Sequence, residues 1–313
     1  MISIIIPVYN SAETLPGTLD SVLIQNNQDF EIILIDDGST DNSRAICEEY
    51  VVRSNKIHYF PIPNGGPGNA RNIGLEKAAG EWITFIDSDD LIEKDYLSIN
   101  YNSDAELQMQ NWVVFGGDVM RFEHLDKGYI HDTEIKEFLS GRMQMNVFRM
   151  ISCKFYKKSI IADKQIRFPT DFRVGEDTLF MLEYIKYVKS INVVDSGKYL
   201  YFRHSDWIQK YSIDIDNALS FIDAFYERYN NQPYACWRLL DLMTDWYPNV
   251  IANFHNPEVW VKWFSSKTIF HAQVRLIFHK GKRYFLRFCK NQLRVLLLAV
   301  NHKVKKCFKT NIV

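Results

Sequence analysis

No two cysteines in this chain are spaced as C-x-x-C, and the five present (Cys47, Cys153, Cys236, Cys289 and Cys307) are odd in number. That excludes a zinc ribbon and a closed disulfide framework, and it reads as reduced thiols of a cytoplasmic protein. No apolar run approaches the ~20 residues that a membrane-spanning helix needs. The longest near the C-terminus covers residues 295–300. The opening segment, MISIIIPVYN, has no basic residue before its apolar stretch. Pro7 and Asn10 interrupt that stretch, so it does not read as a signal peptide. There is no Gly-Lys-Ser/Thr, hence no P-loop. The one glycine-rich stretch departs from G-x-G-x-x-G by carrying Arg71 where the last glycine should stand. Acidic residues are missing altogether after Glu258, whereas residues 259–313 contain 13 Lys and Arg. That leaves 24 of the 37 basic residues and all 38 acidic ones in residues 1–258, a net of −14 against +13 in the tail.

What is present is an α/β pattern. Residues 2–9, 31–36 and 82–86 are nearly continuous in apolarity, as expected of parallel strands covered on both faces. Between the first two, apolar positions 15, 19, 22 and 23 fall at helical spacing. After the second, Ser39 or Thr40 is placed to cap a helix that buries Ala45, Ile46 and Val51. A weaker strand at 56–60 precedes the loop PIPNGGPGNARNIG and a helix near 69–79. The alternation predicts a doubly wound, mostly parallel sheet with helices on both faces. Ligands bind such sheets beyond the carboxyl ends of the strands. Three strands end there in polar clusters: Tyr9-Asn10, Asp36-Asp37-Gly38 and Asp87-Ser88-Asp89.

Each cluster has two readings. Alternation along a strand end would put the Asp87 and Asp89 carboxylates on one side, as hard donors for Mg²⁺ or Mn²⁺ and its diphosphate. Otherwise they form a solvated turn. A second D-x-D, Asp214-Ile215-Asp216, reads as a surface turn, because no buried strand leads into it. Gly65, Gly66 and Gly68 would let the backbone approach a ligand, with Arg71 as a planar cation, or would make a simple turn. In VGEDTLFMLEYIKYV, positions 179, 182, 185 and 188 predict a helix from about Thr178. Asp177 is then either its N-cap, with Glu176 as a dipole partner, or a general base held at a helix start. His204 on its own reads as a surface or structural histidine. Aromatics, 14% of the chain, suit sugar stacking and core packing equally.

Taken in order, IIIPVYNSAETL, IILIDDGSTDNS, GGPGNARNIGL, WITFIDSDD and GEDTLF resemble the successive motifs of glycosyltransferase family 2, of the bacterial surface-polysaccharide type, over roughly residues 1–205. The resemblance implies a GT-A fold and an inverting, metal-dependent transfer from a nucleotide sugar, usually UDP-linked, to an acceptor hydroxyl on a lipid-linked or growing glycan. It implies that Pro7 and Tyr9 border the nucleoside and that Asp37 bonds the uracil edge. Arg71 would lie by the base and phosphates. Asp87, with Ser88 in the same donor-binding set, would reach the ribose or metal side. Asp89 would bind Mn²⁺ or Mg²⁺, and Asp177 would be the base. Glu176, Arg203 and His204 become candidate contacts to diphosphate, metal or acceptor.

The expected organisation is a catalytic domain over 1–215 and a helical, basic region over 216–313. Residues 259–313 combine their charge with Trp260, Trp263, Phe264, Phe270, Phe278, Tyr284 and Phe285. They resemble a cationic amphipathic helix on an anionic membrane, with a basic subdomain docked on the acidic body as the alternative. Without a recognition motif, nucleic acid is not the expected partner. The expected location is cytoplasmic, peripheral on the inner face of the cell membrane. Two rival functions stand beside this one. A sugar nucleotidyltransferase would need a Gly-rich, Arg-bearing stretch after the first strand, where PVYNSAETL has none. A non-enzymatic membrane-surface scaffold would carry a vestigial nucleotide-sugar pocket.

Overall fold

Four runs of β-branched and aromatic residues form the parallel half of a sheet: β1 (Ile2–Val8), β2 (Phe30–Asp36), β3 (Ile57–Pro61) and β4 (Trp82–Phe85). Every residue of β2 and β4 is buried, which explains why their sequences do not alternate. The structure, a computed structural model, describes residues 1–101, 103–116, 119–123, 125–135, 138, 150–171 and 175–202. Arg203, His204, Asp214–Asp216 and the basic segment 259–313 lie outside them. The chain divides into two units, Met1–Trp207 and Ile208–Val313, and the described residues all belong to the first.

From β1 the chain moves outward through α1 (Leu15–Leu23) to β2 and through α2 (Ser43–Arg53) to β3. It then returns through α3 (Pro67–Lys77) to β4, on the other side of β1. Right-handed crossovers put α1 and α2, which touch each other, on one face and α3, which packs on β1 and β2, on the other. The reversal of strand order beside β1 opens a crevice at the carboxyl ends of β1 and β4.

Beyond β4 the sheet is mixed. Among the described residues its order is β3-β2-β1-β4-β9-β6-β10-β5. The added strands are β5 (Leu91–Ile92), β6 (Leu107–Gly116), β7 (Val119–Glu123), β8 (Gly128–His131), β9 (Lys154–Lys157) and β10 (Ser190–Phe202). β9 runs antiparallel between β4 and β6, β6 and β10 are parallel, and β5, β7 and β8 run antiparallel to their partners. The doubly wound α/β half that the sequence predicts is therefore joined to a second half that reverses direction. This part also carries α4 (Lys158–Asp163) and α5 (Glu176–Ile185).

The α5 stripe is as predicted: Leu179, Leu182, Ile185 and Val188 are all buried. Phe180 on this helix stacks on Phe168, with ring centroids 4.0 Å apart, and meets Phe85 of β4 edge-on at 5.7 Å. Such pairs contribute about 0.5–1.5 kcal/mol each beyond their buried area. They fix the start of α5 against the end of β4. For α2 the structure corrects the sequence. Its buried side is Ser43, Cys47 and Tyr50, whereas Ala45 and Val51 are exposed and Ile46 is half-buried. Tyr50 sits there because its hydroxyl donates to Asp20 Oδ1 at 2.8 Å, a partner that an apolar count does not reveal. The helix is capped at Asn42, not at Ser39 or Thr40. Among the described residues, no helix is long and apolar enough to cross a membrane.

Candidate functional site

The crevice rim is tied together by side chains from loops far apart in sequence. Asn10 follows β1 with a left-handed backbone (φ 48°). Its N–H donates to Ser39 Oγ at 3.0 Å, and its side-chain oxygen accepts from Thr40 N at 2.8 Å. Ser11 and Ser88 share a hydroxyl hydrogen bond of 2.7 Å. Asp37 is nearly buried at the end of β2, and its two oxygens accept from Gly65 N at 2.7 Å and Gly66 N at 2.8 Å. Burial raises its carboxyl above the ordinary range, and the two amides oppose that rise.

The glycines of this loop serve the chain's own packing. Gly66 has φ 86°, where a side chain is strained. A Cβ on Gly68 would come within 3.1 Å of Pro169 O and 3.4 Å of Glu176 Cγ. Of the two readings of this loop, the turn is thus seen in the chain's own packing.

At the centre of the site one cation holds three carboxylates. Arg71, on the first turns of α3, is 5% exposed. Its Nη2 donates to Asp87 Oδ1 at 2.9 Å, while its Nη1 donates to Glu176 Oε1 at 3.2 Å and to Asp177 Oδ1 at 2.8 Å. A planar fork reaches these acceptors from two separate nitrogens, whereas an ammonium would have to meet all three from one. Burial opposes the guanidinium's charge, and Asp177, Asp87 and Glu176 more than restore it. Gly175 caps α5, with φ 94° and no side-chain cap, so Glu176 and Asp177 are its first helical residues and the N-cap reading of Asp177 does not hold. Both acids also lie at the positive end of the helix dipole. They differ in access: the Glu176 side chain is 8% exposed and that of Asp177 27%. Burial raises both carboxyls, Asp177 strongly, and Arg71 pulls them back.

The strand-alternation reading of Asp87 and Asp89 is also corrected. β4 ends at Phe85, and Asp90 N donates to Asp87 O at 3.1 Å, so residues 87–90 form a turn. Asp87 keeps 32% of its side chain exposed. Among the described residues, no group of three His, Cys, Asp or Glu forms a ready metal cage. Asp89 and Asp87 nonetheless fit a Mg²⁺ or Mn²⁺ ion, which one or two carboxylates plus substrate phosphates commonly hold.

The fold thus brings Arg71, Asp87, Glu176 and Asp177 into direct contact, with Ser88 and Asp89 on the adjoining turn. Asp37 joins them through the Gly65–Gly66 amides, while half-buried Pro7 and exposed Tyr9 (53%) flank the rim. Arg203 and His204 lie outside the described residues.

Three residues escape a reading of the sequence. Asp90 is buried and bonded to Tyr199 and to the Phe202 N–H. Tyr199 is equally buried, in β10. Lys154 is buried in β9, where its ammonium donates to Met150 O and Ser152 O. Burial lowers its pKa to about 8, and the charge of Asp177 supports its protonated form. The one visible signal for Lys154 is a lysine inside the apolar run CKFY.

Among the described residues, Arg71 therefore meets Asp87, Glu176 and Asp177, Lys154 stands near Asp177, and Asp89 and Asp90 lie on the adjoining turn.

Comparison with known proteins gives the same picture. A family description, glycosyl transferase family 2, matches residues 3–159. Glycosyltransferase GlyG of Streptococcus pneumoniae is 27% identical over 238 residues, 72% of this chain and 78% of GlyG. The poly(ribitol-phosphate) beta-N-acetylglucosaminyltransferase TarS of Staphylococcus aureus is 28% identical over 205 residues, 64% of this chain but only 35% of TarS. The structure of TarS residues 1–349 with UDP-GlcNAc superposes with a TM-score of 0.59 at 18% identity, covering 90% of this chain and 92% of that one. The mannosyltransferase PcManGT of Pyrobaculum calidifontis, solved with GDP-Man and Mn²⁺, gives a TM-score of 0.50 at 13% identity, covering 97% of this chain and 86% of that one. The two structural likenesses concern the fold. The match over residues 3–159 spans just over half of the chain, and on that ground the protein belongs to glycosyltransferase family 2.

Proposed function

We propose that this glycosyltransferase inverts the anomeric centre of a UDP-linked sugar as it transfers it to an acceptor hydroxyl, with Asp177 as general base. The observation that carries the reading is the asymmetry of the acidic pair. Both carboxylates share Arg71 Nη1, yet only Asp177 retains a quarter of its surface, 27% against 8%. A base must come within hydrogen-bond reach of the proton it removes, and its pKa works best when drawn toward the operating pH. Burial draws the Asp177 carboxyl upward in that sense, and Arg71 limits the rise.

In the proposed step the acceptor oxygen attacks the anomeric carbon, its proton passes to Asp177, and the bond to the diphosphate oxygen breaks with the electron pair leaving on phosphate. Attack opposite the leaving group inverts the centre. Arg71 holds Asp177 and Asp87 in one frame, so the base and the donor side keep a fixed separation. Asp37 fixes the Gly65–Gly66 loop beside the nucleoside, and Pro7, Tyr9 and Ser88 line its rim. A Mn²⁺ or Mg²⁺ ion held by Asp89 with Asp87 would neutralise the charge that gathers on the departing diphosphate. That TarS is solved with UDP-GlcNAc and PcManGT with GDP-Man and Mn²⁺ supports a nucleotide sugar and a divalent ion here by analogy. We further take residues 1–215 as the catalytic domain, and 259–313 as the part that seats the enzyme on an anionic membrane near a lipid-linked or surface-glycan acceptor.

The experiment is a thermal-shift screen of UDP- and GDP-sugars with Mn²⁺, followed by assay of nucleoside diphosphate release. A donor at 100 times its Kd stabilises the fold by about 2.7 kcal/mol. The expected result is stabilisation by a UDP-sugar and slow release of UDP into water. Binding with no release under any acceptor condition would favour the scaffold; pyrophosphate release from a nucleoside triphosphate and a sugar phosphate would favour the nucleotidyltransferase. For the membrane step, co-sedimentation with liposomes should require anionic lipid and weaken with salt; indifference to both would remove it.

A further inference from the structure

The turn that carries Asp87 and Asp89 has little support from the sheet. β4 pairs with β9 only at Trp82 and Ile83, and its pairing with β1 ends at Phe85. On the far side, β5 is two residues long and pairs with β10 only through Leu91 and Ile92. Four residues between these weak ties must present their carboxylates in a fixed direction.

Arg71 holds the Asp87 side chain, and Ser11 and Thr18 hold Ser88 at the middle of the turn; a further tie, which joins its two ends, comes from β10. The Tyr199 hydroxyl donates to Asp90 Oδ2 at 2.7 Å and accepts from Asp87 N at 3.1 Å. Asp90 Oδ1 accepts from Phe202 N at 2.8 Å, and Asp90 N donates to Asp87 O at 3.1 Å. Both ends of the turn are thus bonded to one hydroxyl, and the carboxylate behind that hydroxyl is bonded to the β10 backbone. Asp90 and Tyr199 are both 0% exposed. Tyr199 is held in turn by Tyr96, edge-on with ring centroids 5.9 Å apart. Asp90 has no exposed surface from which to touch a ligand itself. A buried carboxylate beside two others is a costly way to close a turn, which an Asn or a Gly could close without charge. What it adds is two directional bonds to β10, one to the Tyr199 hydroxyl and one to the Phe202 N–H.

Resting on the donor-binding reading above, we infer that Asp90 and Tyr199 are positioning residues: a buried strut from β10 that sets the direction in which the 87–90 turn presents Asp87 and Asp89 to a divalent cation and its diphosphate. Groups that orient ligating carboxylates from behind typically change metal affinity or activity by 10–100-fold when removed. The strut works as one unit, so losing either end should cost about as much as losing both.

The test uses the whole chain and the variants Tyr199→Phe, Asp90→Asn and the double variant. Mn²⁺ is titrated at fixed UDP by calorimetry, with thermal melts beside it and UDP-sugar turnover as a second readout. The expected result is a Mn²⁺ constant weakened 10–100-fold in each single variant and no further in the double. Turnover should recover at saturating Mn²⁺. A lowered melting temperature with an unchanged Mn²⁺ constant would mean that the residues only stabilise the fold, and would overturn the inference. Tyr199→Phe removes one oxygen atom and keeps the ring, so it carries the test even where Asp90→Asn does not fold. Failure of the unaltered protein to bind UDP with Mn²⁺ would overturn the donor reading itself and the strut's role with it, an outcome distinct from variants that match an active parent.

Discussion

Replacing Arg71 by Met tests the central arrangement most directly. The side chain is 5% exposed and bridges Asp87, Glu176 and Asp177. Met fills similar space with no charge and leaves three carboxylates uncompensated. Removing one partner of a buried ion pair costs about 3–5 kcal/mol. At roughly 2–4 °C per kcal/mol for a unit of this size, melting should fall by about 6–20 °C. The deficit should also depend on pH, with a definite sign. Unfolded, these carboxyls titrate near ~4. Folded, burial raises Glu176 and Asp177 above that, and Arg71 is the main force pulling them back. Without it they rise further. A group whose folded pKa lies above its unfolded value gives stability that is present below the unfolded pKa and lost as pH rises through the folded one. The variant's deficit should therefore be small near pH 4 and grow toward pH 8. Melts followed by circular dichroism at pH 4.5, 6 and 8 measure it. A deficit that stays flat across this range, or stays under about 1 kcal/mol, would refute the shared-cation arrangement.

Other expectations follow from the same geometry. Asp177→Asn should keep UDP affinity while kcat falls by about 10²–10⁴-fold, read by calorimetry and steady-state rates; near-normal transfer would remove Asp177 from the role. Lys154 carries a pKa lowered to about 8, whereas an unfolded lysine titrates near ~10.4. Between those values the unfolded chain holds the extra proton, so the unaltered protein should gain stability with rising pH, by up to ~1.4 kcal/mol per unit, relative to Lys154→Met. Denaturant melts of both at pH 7.5 and 9.5 check this. Gly68→Ala would press a methyl group against Pro169 O and Glu176. About 1–3 kcal/mol of overpacking should appear as a lower melting point, with a weakened kcat because Glu176 shares Arg71 with the base.

Much of this protein can be read without coordinates, and the exceptions have physical causes. β1, β2 and β4 declare themselves through unbroken apolarity, and α5 through its stripe at 179, 182, 185 and 188. The face of α2 does not, because Tyr50 is held by Asp20 and Cys47 counts weakly in an apolar scan. The direction of β9 is equally hidden, since a short apolar run looks the same pointing either way. At the site, the motif order pointed to Asp87 and Asp177. It did not show that Arg71 would be enclosed by carboxylates, because that depends on contacts 105 and 106 residues apart. Asp90 was masked by its neighbours: among three aspartates in four positions, nothing in the sequence distinguishes the buried one. Tyr199 looked like any aromatic in a strand.

The position of β9 governs how the molecule can be born. It occupies the middle of the sheet but arrives 69 residues after β4, its neighbour, has ended. A growing polypeptide can close β1 to β4 early, yet must then wait with one flank of β4 open until residue 157 has emerged. The acids that complete the cluster come later still. Synthesis at ~5–20 residues per second makes that an exposure of several seconds, during which a bare, apolar flank is open to mispairing. Assembly of this enzyme should thus be sensitive to translation speed and to chaperones just before its chemistry becomes possible.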